Sequence, residues 1–217
     1  MGGAMQSPPQ AIVYRDEQHA LLIRPLEEGD AEPIYDAVQA SREILLPFMD
    51  WAHSELSVEA ERERIQGLLT SGADHDCVVL DQLTGQLLMC SGWRRGKALN
   101  RRSIEIGYWT HIGYLNRGLA TLVTRAIIVA AFDHLQIDRV EIGCNRFNEA
   151  SHRVIQKCDF RLEGQVRNYY AQPSPEMVAN GYCADRTYLQ YGLVPDDIPT
   201  LPWYEATRRC VSVEGRL

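Results

Sequence analysis

The chain has 217 residues, 45% of them apolar, and a formal net charge of -7. Its length and apolar content suffice for one buried core and predict a single domain with extensions. The acidic balance excludes a general nucleic-acid binder, which needs clustered lysine and arginine to neutralise phosphates. An acidic surface accepts cationic substrates such as amines, although this charge is also ordinary for a soluble enzyme.

The cysteines and the N-terminus indicate the compartment. Six cysteines are scattered without a CxxC pair, which is typical of small apolar core residues in a reducing environment. The start, MGGAMQSPPQ, lacks the basic and apolar regions of a signal peptide, and no apolar run approaches the roughly 20 residues that span a bilayer. The histidines show no metal-ligand spacing. We therefore expect a cytoplasmic protein without a membrane anchor or a bound metal.

The first half of the chain predicts two helices followed by a hairpin. A short apolar strand at 20–23 precedes a helix at about 31–40, and the apolar segment REILLPFMDW, broken by Pro47, predicts a loop. Ser57 caps a second helix, which is expected to end at Gly72. Strands at 77–80 and 86–93 form a hairpin around Gly85, and the basic run RRGKALNRR predicts a solvated hairpin end.

The second half alternates strands and helices. Alternation predicts a strand at 104–109, and the apolar residues Leu119, Leu122, Val123, Ala126, Ile127 and Ala130 predict one amphipathic helix. A strand at 140–144, a helix at 150–158 and final strands at 160–166 and 183–193 follow. The segment between the last two strands is predicted to be irregular. The tail from Pro195 shows no periodicity and is expected to wrap around or extend from the domain.

The turn NRGLAT at 116–121 carries the most informative chemistry. It joins a strand to the start of the amphipathic helix, where free backbone NH groups face an anion. Gly118 allows close approach of the backbone. The chain has neither GxGxxG nor GxxxxGK followed by Ser or Thr, so a dinucleotide fold and a kinase-type phosphate loop both fit poorly. The interpretation that remains is a site for the pyrophosphate of coenzyme A.

Six motifs in order carry a family resemblance. They are LPFMDW at 46–51, EIGYW at 105–109, NRGLAT at 116–121, NEAS at 148–151, FRLEG at 160–164 and NGYCADRTY at 180–188. Together they resemble the GCN5-related N-acetyltransferase (GNAT) superfamily, and within it the ribosomal-protein N-terminal acetyltransferases of the RimJ and RimL type. The chain departs from the family pattern at Leu115, where a polar residue is usual, and at Asn116, where glycine is common. Asparagine tolerates positive φ, so we expect Asn116 to preserve the turn.

The resemblance implies an α+β fold, an α/β/α sandwich with a mixed central sheet of about seven strands and helices on both faces. It implies a flexible N-terminal segment at 1–17, a GNAT domain at 18–194 and a C-terminal extension at 195–217. A homodimer is also expected, because the final strand and the tail are apolar.

The resemblance also implies acetyl-CoA as co-substrate, with its pantetheine between the strands at 106–109 and 140–144 and its pyrophosphate on 117–121. The implied cofactor-binding residues are Ile106, Gly107, Tyr108, Trp109, Asn116, Arg117, Gly118, Leu119, Ala120, Thr121, Asn148 and Ser151.

Two catalytic roles follow from the same resemblance. Glu105 occupies the position of a strand carboxylate that acts as general base, directly or through water, and a salt bridge is the competing interpretation. Ser151 matches the serine that protonates the leaving thiolate in the RimL type, whereas Ile155 stands where many members carry tyrosine. Tyr170 stands where the RimL type has a glutamate, which moves the base role to Glu105 or water, or changes the substrate. Glu141, the second strand carboxylate, is expected to be structural.

The identity of the acceptor substrate is what the family resemblance constrains least. Trp51 and Tyr170 are expected to contact it, within an aromatic wall that also includes Phe48, Tyr108, Trp109 and Tyr169. Three functions stay open at this point. The first is acetylation of a protein N-terminal amine, the second is acetylation of an amino acid, polyamine or aminoglycoside, and the third is a CoA-binding regulatory module without turnover.

Overall fold

The computed structural model describes residues 11–71, 75–95 and 102–214. Most of the predicted basic hairpin end, and Gly72, the predicted end of the second helix, lie outside these ranges. No helix in the described ranges is long and apolar enough to cross a membrane.

The described residues form nine strands and six α-helices. The strands are β1 Ala11–Arg15, β2 Ala20–Pro25, β3 His75–Asp81, β4 Leu87–Arg95, β5 Ser103–Thr110, β6 Arg139–Asn145, β7 Arg161–Val166, β8 Tyr188–Leu193 and β9 Val211–Glu214. The helices are α1 Ala31–Leu45, α2 Val58–Ser71, α3 Leu119–Val129, α4 Glu149–Lys157, α5 Pro175–Ala179 and α6 Tyr204–Cys210. A π-helical turn, Ala130–His134, continues α3.

All nine strands belong to one sheet in the order β7-β8-β6-β5-β4-β3-β2-β1-β9. Every described pairing is antiparallel except that of β5 with β6. These two strands are parallel, and α3 lies in the segment that connects them. Helices cover both faces. One core packs α1 and α2 against the sheet around Ile34, Val38 and Ile65, and the other packs α3 around Val123 and Ile127. The predicted α/β/α sandwich is confirmed.

The predicted number of about seven strands was wrong, because both ends of the chain add a strand. Residues 11–15, expected to be flexible, form β1, in which Val13 faces Leu22 of β2. The tail adds β9, in which Ser212 faces Val13 from the other side. Strands of four and five residues are too short to show a clear alternation of apolar and polar residues in the sequence. The domain boundaries at 18 and 194 stay a prediction.

Two local predictions also change. α1 runs five residues beyond its expected end, so Leu45 packs in the core and the loop begins only before Pro47. The segment expected to be irregular contains the short helix α5, whose cap Ser174 accepts a hydrogen bond from the Met177 NH. Pro175 sits at the first helical position, where proline loses no hydrogen bond.

The C-terminal segment docks on the face formed by α3. The Trp203 indole donates to Asp159 Oδ2 at 2.9 Å, and the Arg125 guanidinium lies 4.9 Å from the centre of its ring. Tyr204, almost fully buried, donates to Asp133 Oδ1 at 3.2 Å. These contacts make the tail part of the core that supports α3.

Replacing Trp203 with alanine tests this docking. Removing a buried indole leaves a cavity and an unpaired Asp159, so we expect Trp203→Ala to lower the free energy of unfolding by about 3–5 kcal/mol. Urea denaturation measures the loss. Trp51→Ala is the control, because the Trp51 side chain is 37% exposed. Equal losses in the two variants would show that the tail adds nothing to the core.

Candidate active site

The sheet opens between its two parallel strands. β5 and β6 pair from Ser103 and Arg139 to Glu105 and Glu141, and both strands then continue for several residues without a described pairing between them. Each strand keeps its other neighbour, β4 or β8. The facing edges therefore offer backbone NH and C=O groups to an extended, amide-containing ligand. Ile106 and Gly107, both expected to bind cofactor, lie on this edge.

The turn before α3 has the expected backbone conformation. Gly118 is the N-cap residue with φ 78°, and Asn116 also adopts positive φ, at 60°. The first intrahelical hydrogen bond runs from the Leu122 NH to the Gly118 carbonyl. The NH groups of residues 119–121 therefore lie before the first hydrogen bond of the helix. The Arg117 guanidinium donates to the Gly113 carbonyl and lies 5.1 Å from the centre of the Tyr114 ring. The prediction that Asn116 preserves this turn is confirmed.

A cavity of about 500 Å³ runs from this turn along α4 to the end of α1. Nine predicted site residues line it: Tyr108, Trp109, Asn116, Gly118, Leu119, Ala120, Thr121, Asn148 and Ser151. The cavity lining does not include Ile106, Gly107, Arg117 or Glu105.

α4 also supplies two cationic side chains that sequence reasoning missed. Arg153 and Lys157 line the cavity on the same face as Ala150 and Ser151. Their spacing of three and four residues could have revealed this shared face. They place positive charge beside the α3 N-terminus, where the helix dipole also favours an anion.

Ser151 is joined to Tyr108 inside the cavity. The two hydroxyl oxygens lie 3.0 Å apart, and the Ser151 NH donates to the capping side chain of Asn148. Burial raises the pKa of the Tyr108 phenol well above its usual range, so this hydroxyl stays protonated at neutral pH. The pair combines a buried phenol with a hydroxyl that can face a reacting group.

Glu105 belongs to the other face of the sheet. Side chains alternate along β5, and Ile104, Ile106 and Tyr108 pack in the α3 core, whereas Trp109 packs in the α1 core. The Tyr188 hydroxyl donates to Glu105 Oε1 at 2.8 Å. Burial, followed by the charge of Glu105, raises the pKa of Tyr188 far above its usual range. The two predicted catalytic residues thus approach the gap from opposite faces.

Aromatic residues surround the Glu105 side of the gap. Tyr170 lies edge-on to Tyr188 at 6.1 Å, and burial raises the pKa of its phenol. Trp51 lies 6.3 Å from Trp109. The expected aromatic wall needs one correction, because alternation places Tyr108 on the opposite face beside Ser151.

Two loops meet beside this wall. The Cys183 NH donates to the Pro47 carbonyl at 2.9 Å, and the rings of His53 and Tyr182 meet edge to face at 5.4 Å. Phe48 and Tyr170 line the small recess between the loops. The loop that follows α1 and the segment before β8, both expected to shape the acceptor site, are therefore adjacent.

Glu141 forms part of a structural ion network. Its buried carboxylate accepts from the Ser103 hydroxyl at 3.0 Å and from Arg139 at 2.9 Å, and Arg139 also binds Glu163. This network ties β5, β6 and β7 together just below the gap. In the described ranges no group of three or more His, Cys, Asp or Glu side chains is placed to hold a metal ion.

Comparisons with known proteins agree with this geometry. Residues 20–161 match the acetyltransferase (GNAT) domain family. The putative ribosomal N-acetyltransferase YdaF of Bacillus subtilis is 27% identical over 68% of this chain and 81% of its own length. The probable N-acetyltransferase YjcK of the same organism is 28% identical over 82% of this chain and 96% of its own length.

Solved structures share the fold. Mycobacterium smegmatis RimJ in complex with CoA-disulfide has a TM-score of 0.75 and 21% identity, covering 96% of this chain and 98% of that one. RimL, a ribosomal L7/L12 alpha-N-protein acetyltransferase in complex with coenzyme A, has a TM-score of 0.71 and 20% identity, covering 85% of this chain and 98% of that one. The family match covers well over half of the sequence, and GNAT enzymes use acetyl-CoA as co-substrate. The chain therefore belongs to the GNAT acetyltransferase family and is an acetyl-CoA-dependent N-acetyltransferase.

Proposed function

We propose that this enzyme transfers the acetyl group directly from acetyl-CoA to the N-terminal α-amine of a protein. The observation that carries direct transfer is the placement of Glu105 and of the Tyr108–Ser151 pair on opposite faces of one gap. A base on one side and an acid on the other serve a single displacement, without a covalent intermediate on the enzyme. The N-terminal acceptor is supported by the names of YdaF and RimL, which describe ribosomal and alpha-N-protein acetyltransferases.

The site fits the donor substrate in three respects. The NH groups at the start of α3, with Arg153 and Lys157 nearby, suit a pyrophosphate. The unpaired edges of β5 and β6 suit the amides of pantetheine. The cavity that joins these features has a volume of about 500 Å³, within the range of ligand sites. We assign the pyrophosphate to residues 117–121 and the pantetheine to the gap.

The chemistry then needs three proton transfers. Glu105, directly or through water, takes the proton that the acceptor ammonium group loses, and the neutral amine nitrogen then forms a bond to the acetyl carbonyl carbon while the carbon–sulfur bond breaks. Ser151 donates a proton to the departing thiolate, and the second proton that the nitrogen loses as the amide forms returns through solvent to Ser151. We assign a backbone NH of residues 106–108 to the stabilisation of the negative charge on the carbonyl oxygen. Trp51 and Tyr170 flank the acceptor.

The acceptor class is tested with labelled acetyl-CoA and matched peptides. We expect label on peptides that begin with Ser, Ala or Thr, and none on the same peptides when the N-terminus is blocked and an internal lysine is free. Spermidine, amino acids and an aminoglycoside complete the panel. Label confined to these small amines would contradict the N-terminal assignment. Acetyl-CoA binding without thiol release on any acceptor would indicate a regulatory module instead.

The pyrophosphate assignment is tested at Gly118. A valine at this position meets a positive φ and extends a side chain where the anion approaches, so Gly118→Val should weaken CoA binding at least about 100-fold. Isothermal titration calorimetry measures the affinity. Gly85→Val is the matched control, because Gly85 has a similar φ of 72° in the β3–β4 hairpin. Equal loss of affinity in both variants would show that backbone strain alone is responsible.

The acid role is tested at Ser151. Without the hydroxyl the thiolate leaves unprotonated, so Ser151→Ala should lower kcat by roughly 10- to 100-fold and change the Kd for CoA little. Ser151→Thr retains a hydroxyl and should recover part of the lost rate. An alanine variant with the wild-type kcat would remove Ser151 from the acid role.

A further inference from the structure

The carboxylate of Glu105 is held by a side chain from a strand that is not its neighbour. Tyr188 begins β8, and its hydroxyl reaches across β6 to donate to Glu105 Oε1 on β5 at 2.8 Å. The two residues are 83 positions apart in sequence. The bond therefore joins β8 to β5 across β6, at the point where β5 and β6 separate.

Gly143 makes this reach possible. In the register of β6 with β8, Asn145 faces Tyr188 and Gly143 faces Gln190, so the Tyr188 ring leans along β8 over Gly143. A Cβ at Gly143 would lie 2.1 Å from the Tyr188 hydroxyl oxygen, far inside contact distance. Any larger residue at position 143 would displace the ring. The lack of a side chain at Gly143 thus leaves the space that the Tyr188 phenol occupies.

Two further rings fix the phenol in place. Tyr169 stacks on Tyr188 with ring centres 4.2 Å apart and an interplanar angle of 19°. Tyr170 meets the same ring edge-on at 6.1 Å, and only 4% of Tyr188 is exposed. A ring packed on two sides has few rotamers left, so its hydroxyl occupies a defined point at the gap.

We propose that Tyr188 is a positioning residue, which orients the Glu105 carboxylate toward the amine of the acceptor. This inference rests on the proposed role of Glu105 as general base. Glu105 is the last residue of β5 that pairs with β6, so the gap begins beside it and β4 is the only described strand that pairs with the residues of β5 that follow. A donor fixed by packing limits the rotation of the carboxylate, and a misplacement of about 1 Å at a reacting group can cost about 100-fold in rate.

A double-mutant cycle on the full chain tests the proposal, with thiol release measured against the best acceptor of the peptide and amine panel. Tyr188→Phe keeps the stacked ring and removes the donor, so we expect kcat to fall about 10-fold while the KM for acetyl-CoA is unchanged. In Glu105→Gln, kcat should fall about 100-fold. Adding Tyr188→Phe to Glu105→Gln should cause no further loss, because the donor then has no base to orient.

Two matched controls accompany the cycle. Tyr191→Phe removes a phenol hydroxyl from the same strand, where it contacts the His152 ring at 3.2 Å, and should leave kcat unchanged. Gly143→Ala should reproduce the Tyr188→Phe loss by displacing the ring and its hydroxyl, while the side chains of Tyr188 and Glu105 are both retained. Gly164→Ala is its control, because a Cβ there meets nothing within 4 Å.

The outcomes separate this inference from the proposed function. An unchanged kcat in Tyr188→Phe, or the same loss in both Glu105 backgrounds, would overturn the positioning role and leave the acetylation of amines intact. A wild-type kcat in Glu105→Gln would overturn the base role together with its positioning. Absence of thiol release with every acceptor would overturn the proposed function itself. If Tyr188→Phe fails to fold, Gly143→Ala carries the same comparison.

Discussion

The end of pairing between β5 and β6 is the constraint on which the site depends. The sheet is otherwise hydrogen-bonded across nine strands, and unpaired backbone groups are costly unless water or a ligand satisfies them. Here the two parallel strands separate directly after Glu105 and Glu141. The ion network of Glu141, Arg139 and Glu163 holds the strands together up to that point. The gap is therefore closed at the end that this network holds together, and open where the two strands are no longer paired.

The gap also explains how one active site can use both faces of a sheet. α3 and α4 supply the turn proposed to bind the pyrophosphate, the cationic side chains of Arg153 and Lys157, and Ser151 on one face. The loop that follows α1 and the segment before β8 supply the aromatic surface beside Glu105 on the other face. A substrate that passes through the sheet meets both. The acid and the base of the proposed mechanism therefore need no contact with each other.

Local signals predicted much of this arrangement. The periodicity of α3, the positive φ of Asn116 and Gly118 and the cap formed by Asn148 all depend on residues close in sequence. They were sufficient for the fold class and for nine of the residues that line the cavity. α1 was predicted too short because the apolar residues before Pro47 were interpreted as a loop, although proline constrains mainly the residue directly before it.

The contacts that sequence reasoning missed join distant residues. Tyr188 and Glu105 are 83 positions apart, and Tyr108 and Ser151 are 43 apart. No spacing rule connects such pairs, because strand order in the sheet decides them. β1 and β9 were missed for the same reason, since β1 is recognised by its pairing with β2 and β9, and β9 by its pairing with β1.

Backbone hydrogen exchange tests most directly whether the gap is the binding site for the donor. If the donor enters the gap, CoA should slow amide exchange in peptides covering residues 106–110 of β5 and 118–121 at the start of α3, and leave exchange in β1 and β9 unchanged. Slower exchange at the start of α3 alone, with β5 unaffected, would show that the cofactor binds without entering the sheet.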